Sequence, residues 1–167
     1  DESLSRISDE CDKIPEVDLK SGRKLSSVNG EIRFQDVQFH YPTRTDVEGL
    51  KKVNFVLKPG MTMALVGQSG SGKSSIASLV TRMYDPQQGR ILLDGVSIKE
   101  LEPQWLRQQI GVVSQEPVLI SDTIEANILY GNSNATIEDV HRAAQLANAE
   151  IFIKGFPEGY RTLVGER

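Results

Sequence analysis

The sequence predicts an α/β fold with an antiparallel β attachment, and three observations carry that prediction. Residues 61–84 read as a short apolar run, a glycine-rich loop and a helix-like stretch, in the order strand, loop, helix. Strand-like runs at 31–39 and 53–57 come before that unit, and Tyr41-Pro42 and Lys58-Pro59-Gly60 punctuate them as turns. Beyond it the chain alternates between strand-like and helix-like runs and then turns helical.

The elements follow in order. Residues 1–30 are polar and aperiodic, and Pro15, Gly22 and Ser26-Ser27-Val28-Asn29-Gly30 give them the composition of a linker, with order expected from Glu31. Ile32 and Phe34 lie on one face of the first strand, while Val37 and Phe39 lie on the other. Such a switch predicts a bulge near Gln35-Asp36. Val53–Leu57 is a second strand, Met61–Val66 a third and residues 75–84 a helix. Asp85–Gly89 is a loop and Arg90–Asp94 a strand closed by Gly95. Pro103–Gln108 is a helix with proline in its first turn. Ile110–Ser114 reads as a buried strand ending at Gln115. Ser121 or Asp122 caps a helix over Thr123–Tyr130 that Gly131 stops. Thr136 opens another helix, with Val140, Ala143, Ala144 and Ala147 at helical spacing. Residues 151–167, with Gly155, Pro157, Gly159 and Gly165, read as loop.

Bulk properties narrow the function classes. The 167 residues, 38% hydrophobic, suit one globular domain or part of a larger one. Net charge is −4 and the longest basic step is Lys51-Lys52, read as a solvated turn, so a nucleic-acid surface is not expected. The single cysteine, Cys11, gives no disulfide framework or metal cluster. No apolar run approaches the ~18 residues of a membrane span. A start at Asp1 rather than methionine reads as a piece of a longer polypeptide.

The chemistry lies in Gly67-Gln68-Ser69-Gly70-Ser71-Gly72-Lys73-Ser74-Ser75, which fits the phosphate-binding P-loop pattern at Gly67, Gly72, Lys73 and Ser74. Glycines let successive backbone N–H groups converge on a polyphosphate without Cβ clashes. Lys73 brings a mobile positive charge to the outer phosphates, and the Ser74 hydroxyl is a hard oxygen suited to Mg²⁺. The following helix points its positive end at the same anion. A chance match is expected in on the order of 1% of chains of this size. Nucleotide binding follows.

From about residue 14 onward the chain resembles the nucleotide-binding domain of ATP-binding cassette (ABC) transporters, nearest to B-type exporters of the multidrug and half-transporter kind. Four pieces in order carry the resemblance: residues 30–44 (GEIRFQDVQFHYPTR), the P-loop, residues 84–95 (YDPQQGRILLDG) and residues 110–117 (IGVVSQEP). Pro15–Leu19 is similar to the segment that joins such an exporter's membrane helices to its ATPase domain. The fold implied is a P-loop NTPase core with an antiparallel β-subdomain and the start of a helical subdomain. Residues 1–30 would be the linker from the transmembrane domain, and 31–167 the N-terminal part of the nucleotide-binding domain.

The resemblance also assigns roles. Tyr41, which on its residues alone reads first as a strand-terminal core aromatic, falls where the family stacks a ring on adenine. Gln115 falls on the loop glutamine that touches Mg²⁺ and the attacking water. Residues 67–75, Tyr41 and Gln115 would hold ATP; Ser74 and Gln115 would hold Mg²⁺; Lys73 and Gln115 would be the catalytic contributors. Glu116 is not read as a general base, because the family's catalytic glutamate follows a later apolar strand. His40 and His141 read as solvated, and Trp105 as a packing residue.

Val164–Arg167 matches the segment just before the family's Leu-Ser-Gly-Gly-Gln signature, and neither that pentapeptide nor an apolar run ending in Asp-Glu occurs in the 167 residues. The expectation is a piece that binds Mg-ATP weakly, hydrolyses it negligibly and is marginally stable. In the whole protein it would form part of an ATPase that drives export, paired with a second nucleotide-binding domain and with transmembrane coupling helices. Its place would be the cytosolic or matrix side of a membrane. The alternatives are a non-hydrolytic nucleotide-binding module and a soluble ABC ATPase of translation or repair, the latter disfavoured by the exporter-like Tyr41–Arg44. Ile120-Ser121 departs from the phenylalanine that many exporters carry there, at a surface that meets the membrane partner.

Overall fold

The computed structural model describes residues 21–42, 49–132 and 134–165. Cys11, Pro15–Leu19, Thr43-Arg44 and Glu166-Arg167 lie outside the described residues. The chain divides into two compact units, Asp1–Gly111 and Val112–Arg167.

The first unit is built on a four-stranded sheet in the order β2-β1-β3-β4, with β1 at Ile32–Phe39, β2 at Leu50–Leu57, β3 at Gln88–Leu93 and β4 at Val96–Ser97. Every pairing is antiparallel. The predicted bulge is present: both ladders of β1 shift register past Phe34–Gln35, and Asp36 adopts φ 48°. That shift is what lets Phe34, Val37 and Phe39 all be buried, although 34 and 37 are an odd number of residues apart. Asn54 locks the bulge, accepting the Asp36 N–H at 2.9 Å and donating to the Asp36 carboxylate at 3.0 Å. Lys51 and Lys52 lie on β2 rather than in a turn.

Helix α1, Lys73–Val80, starts two residues earlier than its sequence pattern suggests and buries Leu79 against the sheet. Helix α2, Pro103–Gln108, has the predicted bounds and the proline in its first turn, and it buries Leu106. Trp105 packs on the same core, as its reading required. Arg82, 6% exposed, ties the end of α1 to the sheet layer by donating to the Leu101 carbonyl at 2.7 Å and pairing with Asp85 at 3.3 Å.

Bonds to this unit begin before Glu31. Arg23 bridges Leu101, and Asn29, Gly30 and Glu31 all donate backbone N–H groups to the Asp94 carboxylate. Burial pushes that carboxyl's pKa up, but the three backbone donors outweigh it and hold the group below its ordinary value.

Two expected strands are absent as ladders. Residues 61–66 and 110–114 pair with no strand among the described residues, and Val66 and Val113 are 93% and 99% exposed. Their composition is that of strands buried on both faces, but a strand exists only when a neighbour takes up its N–H and C=O groups.

The second unit is thinner. Thr123, not Ser121 or Asp122, caps α3 (Ile124–Leu129) by accepting the Ala126 N–H at 3.1 Å, and Asp122-Thr123 is also strand β5. Strand β5 pairs with β6, Leu163–Val164. Thr136 opens α4, Ile137–Leu146, through a reciprocal capping box with Asp139. Val140 and Ala144 are buried there, while Ala143 and Ala147 face solvent. Residues 151–167, expected as loop, contain most of α5 (Glu150–Lys154), a 3₁₀ turn at Gly159–Arg161 and β6. Ile153 and Tyr160 join Val140 and Ala144 in the core, so glycine and proline here separate short elements. His141 is not simply solvated: its ring lies 4.3 Å from that of Tyr160, and Nδ1 is 4.0 Å from Glu150.

Candidate functional site

The first unit carries a cavity of about 320 Å³ lined by Phe39, His40, Tyr41, Gly49, Ser69, Gly70, Gly72, Lys73, Ser74 and Ser75. Its two walls have different origins. One is the end of β1, where the chain leaves the ladder after Phe39. The other is the P-loop and the first turn of α1.

The phosphate wall follows from local chemistry. Gly70 and Gly72 sit at φ +84° and +89°, a region costly for any residue with a Cβ. At Gly72 a Cβ would also collide with Leu50 Cδ2, so that side chain would have to shift. Gly72 is the N-cap residue of α1 and supplies no side-chain cap. The backbone donors of Lys73, Ser74 and Ser75 therefore lie in the first turn of an eight-residue helix, at its positive end. The Ile76 N–H is already committed to the Gly72 carbonyl at 3.1 Å.

Lys73 is half-buried, and its Nζ donates to the carbonyls of Gly67 at 2.8 Å and Gln68 at 2.7 Å, with Ser71 Oγ at 3.4 Å. The ammonium thus sits inside the curl of the loop. Gly67, Gln68 and Ser71 act as its holders rather than as cavity lining. A Cβ on Gly67 would come within 2.6 Å of Ser71 Oγ, so the Ser71 side chain would have to turn away.

The opposite wall is aromatic. Tyr41 is half-buried, with its ring centroid 5.0 Å from Phe39 at 76° and 5.2 Å from Tyr84 at 89°. The Tyr41 ring packs on the sheet core, as its first reading had it, and also lines the cavity. His40 lines the same cavity but is exposed.

An anion cradle and an aromatic surface on one cavity fit a nucleotide: backbone donors and an ammonium meet phosphate, and a ring meets a base. For Mg²⁺ the fit is narrower. Ser74 offers one hydroxyl on the cavity wall, and no group of three His, Cys, Asp or Glu side chains gathers as a cation site among the described residues. That donor set suits a Mg²⁺ held mainly by phosphate oxygens and water rather than by a protein cage.

The structure therefore brings together Tyr41, Ser69, Gly70 and Gly72–Ser75, with Gly67, Gln68 and Ser71 completing the loop. Gln115 belongs to the second unit, where it and Glu116 are exposed in a bend. Sequence reasoning missed Tyr84 as a ring neighbour of Tyr41 and Gln87 as a partner of His40, because only tertiary packing joins positions so distant in the chain.

Comparisons with known proteins give matches in family, sequence and structure. The profile described as "ABC transporter" matches residues 50–163. "ABC transporter B family member 4" of Dictyostelium discoideum is 50% identical over 164 residues, 98% of this chain and 21% of that protein. The "Mitochondrial potassium channel ATP-binding subunit" of Xenopus tropicalis is 51% identical over 154 residues, 92% of this chain and 22% of that protein. A structure described as a bacterial Atm1-family ABC exporter with ATP bound superposes with a TM-score of 0.85 at 36% identity, covering 98% of this chain and 28% of that one. The chain thus spans about a fifth of the length of these curated relatives.

Proposed function

The chain belongs to the ABC transporter family, as a nucleotide-binding domain with B-family relatives, and from that premise we propose that it holds ATP, with Mg²⁺, in the cavity between Tyr41 and the P-loop. One observation carries the reading: the cavity walled on one side by the P-loop is walled on the other by the Tyr41 ring.

Each residue then has a task. Tyr41 offers its face to the base, and the backbone of residues 69–75 curls around the phosphates. Lys73 exchanges its loop carbonyls for phosphate oxygens. Ser74 contributes one oxygen to Mg²⁺, with phosphate oxygens and water as the other donors. The ion when bound neutralises charge developing on the transferred phosphoryl oxygens.

In the whole protein, this site would bind and hydrolyse ATP to drive transport across a membrane, working against a second nucleotide-binding domain and the coupling helices of the membrane partner. The 167 residues alone would bind Mg-ATP and turn it over negligibly, since the sequence contains no Leu-Ser-Gly-Gly-Gln and no apolar run ending in Asp-Glu.

Calorimetric titration of Mg-ATP into the intact protein tests the core of this. Lys73→Ala removes charge-assisted bonds worth about 1.5–3 kcal/mol and should weaken binding roughly tenfold to a hundredfold. Unchanged affinity would sink the assignment of the cavity. Tight binding without phosphate release by the intact protein would instead support a non-hydrolytic module.

A further inference from the structure

We propose that the segment Tyr84–Gln87 is a positioning device for Tyr41, acting through the Tyr84 ring and the Gln87 side-chain amide, and that it sets how firmly the cavity grips the base relative to the phosphates. The inference rests on the nucleotide reading above.

Tyr41 stands two residues beyond the last residue of β1, where strand ends ordinarily fray. Gln87 prevents this by extending the ladder. Its backbone N–H donates to the Gln38 carbonyl at 3.0 Å. Its side chain then imitates a further backbone unit: Oε1 accepts the His40 N–H at 3.0 Å and Nε2 donates to the His40 carbonyl at 3.0 Å. A primary amide can do both at once, whereas a carboxylate has no donor and an alkyl group has neither function. The residue immediately before Tyr41 is thereby held on both its polar groups.

Tyr84 fixes the ring itself. It lies 5.2 Å from Tyr41 at 89° and 5.6 Å from Phe39 at 47°, closing a triangle of three rings. Edge-to-face contacts depend on orientation, so rotating Tyr41 loses both of its partners together. Tyr84 is not among the residues lining the cavity, so it acts through Tyr41 and not on a ligand.

The segment is itself anchored. Arg107 donates to the carbonyls of Thr81 at 3.1 Å and Arg82 at 2.8 Å, and Asp85 pairs with buried Arg82 at 3.3 Å. Helix α1 begins in the phosphate loop and ends in this anchored turn. One short element thus fixes the spacing between the phosphate cradle and the aromatic wall.

The experiment compares the affinity of the intact protein for ATP and for inorganic tripolyphosphate, each with Mg²⁺, across Tyr41→Ala, Tyr84→Leu, Tyr84→Phe and Gln87→Ala. Tyr84→Leu and Gln87→Ala should each weaken ATP about three- to tenfold and leave tripolyphosphate unchanged. Tyr84→Phe, which keeps the ring, should match the parent. If Tyr41→Ala weakens ATP while Tyr84→Leu and Gln87→Ala do not, the positioning role is overturned and the nucleotide reading stands. Equal losses for both ligands would likewise overturn it, reducing the segment to a folding role. If Tyr41→Ala itself leaves ATP unchanged, the base wall is wrong and the inference falls with it.

Discussion

In the first unit, Phe34, Val37, Phe39, Leu50, Leu79, Ile91, Leu93, Ile98, Leu101 and Leu106 form one buried cluster on a four-stranded sheet. In the second, the buried cluster is Val140, Ala144, Ile153 and Tyr160, carried on short helices with a sheet of two two-residue strands. Apolar side chains remain in water there, including Leu146 at 81% and Ile151 at 87% exposure. The second unit relies more on local devices, such as the Thr123 cap and the Thr136–Asp139 capping box. The difference teaches where a precise site can be hung. The cavity between Tyr41 and the P-loop sits on loops tied to the larger core.

The largest effect should come from that core. Phe34→Ala removes a ring that is 1% exposed and stacked on Phe55 at 4.4 Å, and should cost about 3–5 kcal/mol of unfolding free energy. Denaturant titration followed by hydrogen exchange should show amides of β1–β3 losing protection most. A loss spread evenly over both units would break the contrast.

Asp94→Asn sharpens it at a single point. The amide keeps the αL-tolerant backbone (φ 49°) but removes a carboxylate that accepts three backbone N–H groups, and should cost about 1–2 kcal/mol. The pH dependence has a definite sign. A folded pKa below the unfolded value contributes stability that is fully present above the unfolded pKa, near 4, and is lost as pH falls through the folded one. Melting temperatures of parent and variant should therefore converge below about pH 4; a constant gap down to pH 2 would assign the loss to geometry rather than charge.

Thr136→Ala should have the smallest effect, about 0.5–1 kcal/mol, since it removes only the cap of α4. Its signature is local: faster amide exchange in Ile137–Val140 with the first unit unchanged. Equal deprotection of the β1–β3 amides would show that the two units do not differ in this way.

What could be read in the sequence was whatever depends on neighbours along the chain. The P-loop glycines, the Pro103 helix and the Thr136 cap each appear where their residues placed them. The bulge at Gln35-Asp36 was legible because a switch of apolar face leaves no other solution. The helix and 3₁₀ turn within residues 151–167 were not, because a proline and three glycines mask short elements whose stability comes from burying Ile153 and Tyr160. Of the cavity, the wall built from the P-loop was readable residue by residue. Tyr41 stayed ambiguous until its neighbours were seen.

The sequence by itself determined the anion cradle, because glycine's freedom at positive φ, a helix start and one lysine are local properties that need no partner. Tertiary structure alone decided the rest. It decided that Gln87 clasps His40, that Tyr84 fixes Tyr41, and that Asp94 gathers three donors from a segment 63 or more residues away. It also decided that the apolar runs at 61–66 and 110–114 form no ladder among the described residues. The reason is the same in each case: a helix satisfies its own backbone, whereas a strand, a clasp or a ring contact exists only when a distant part of the chain supplies the other half.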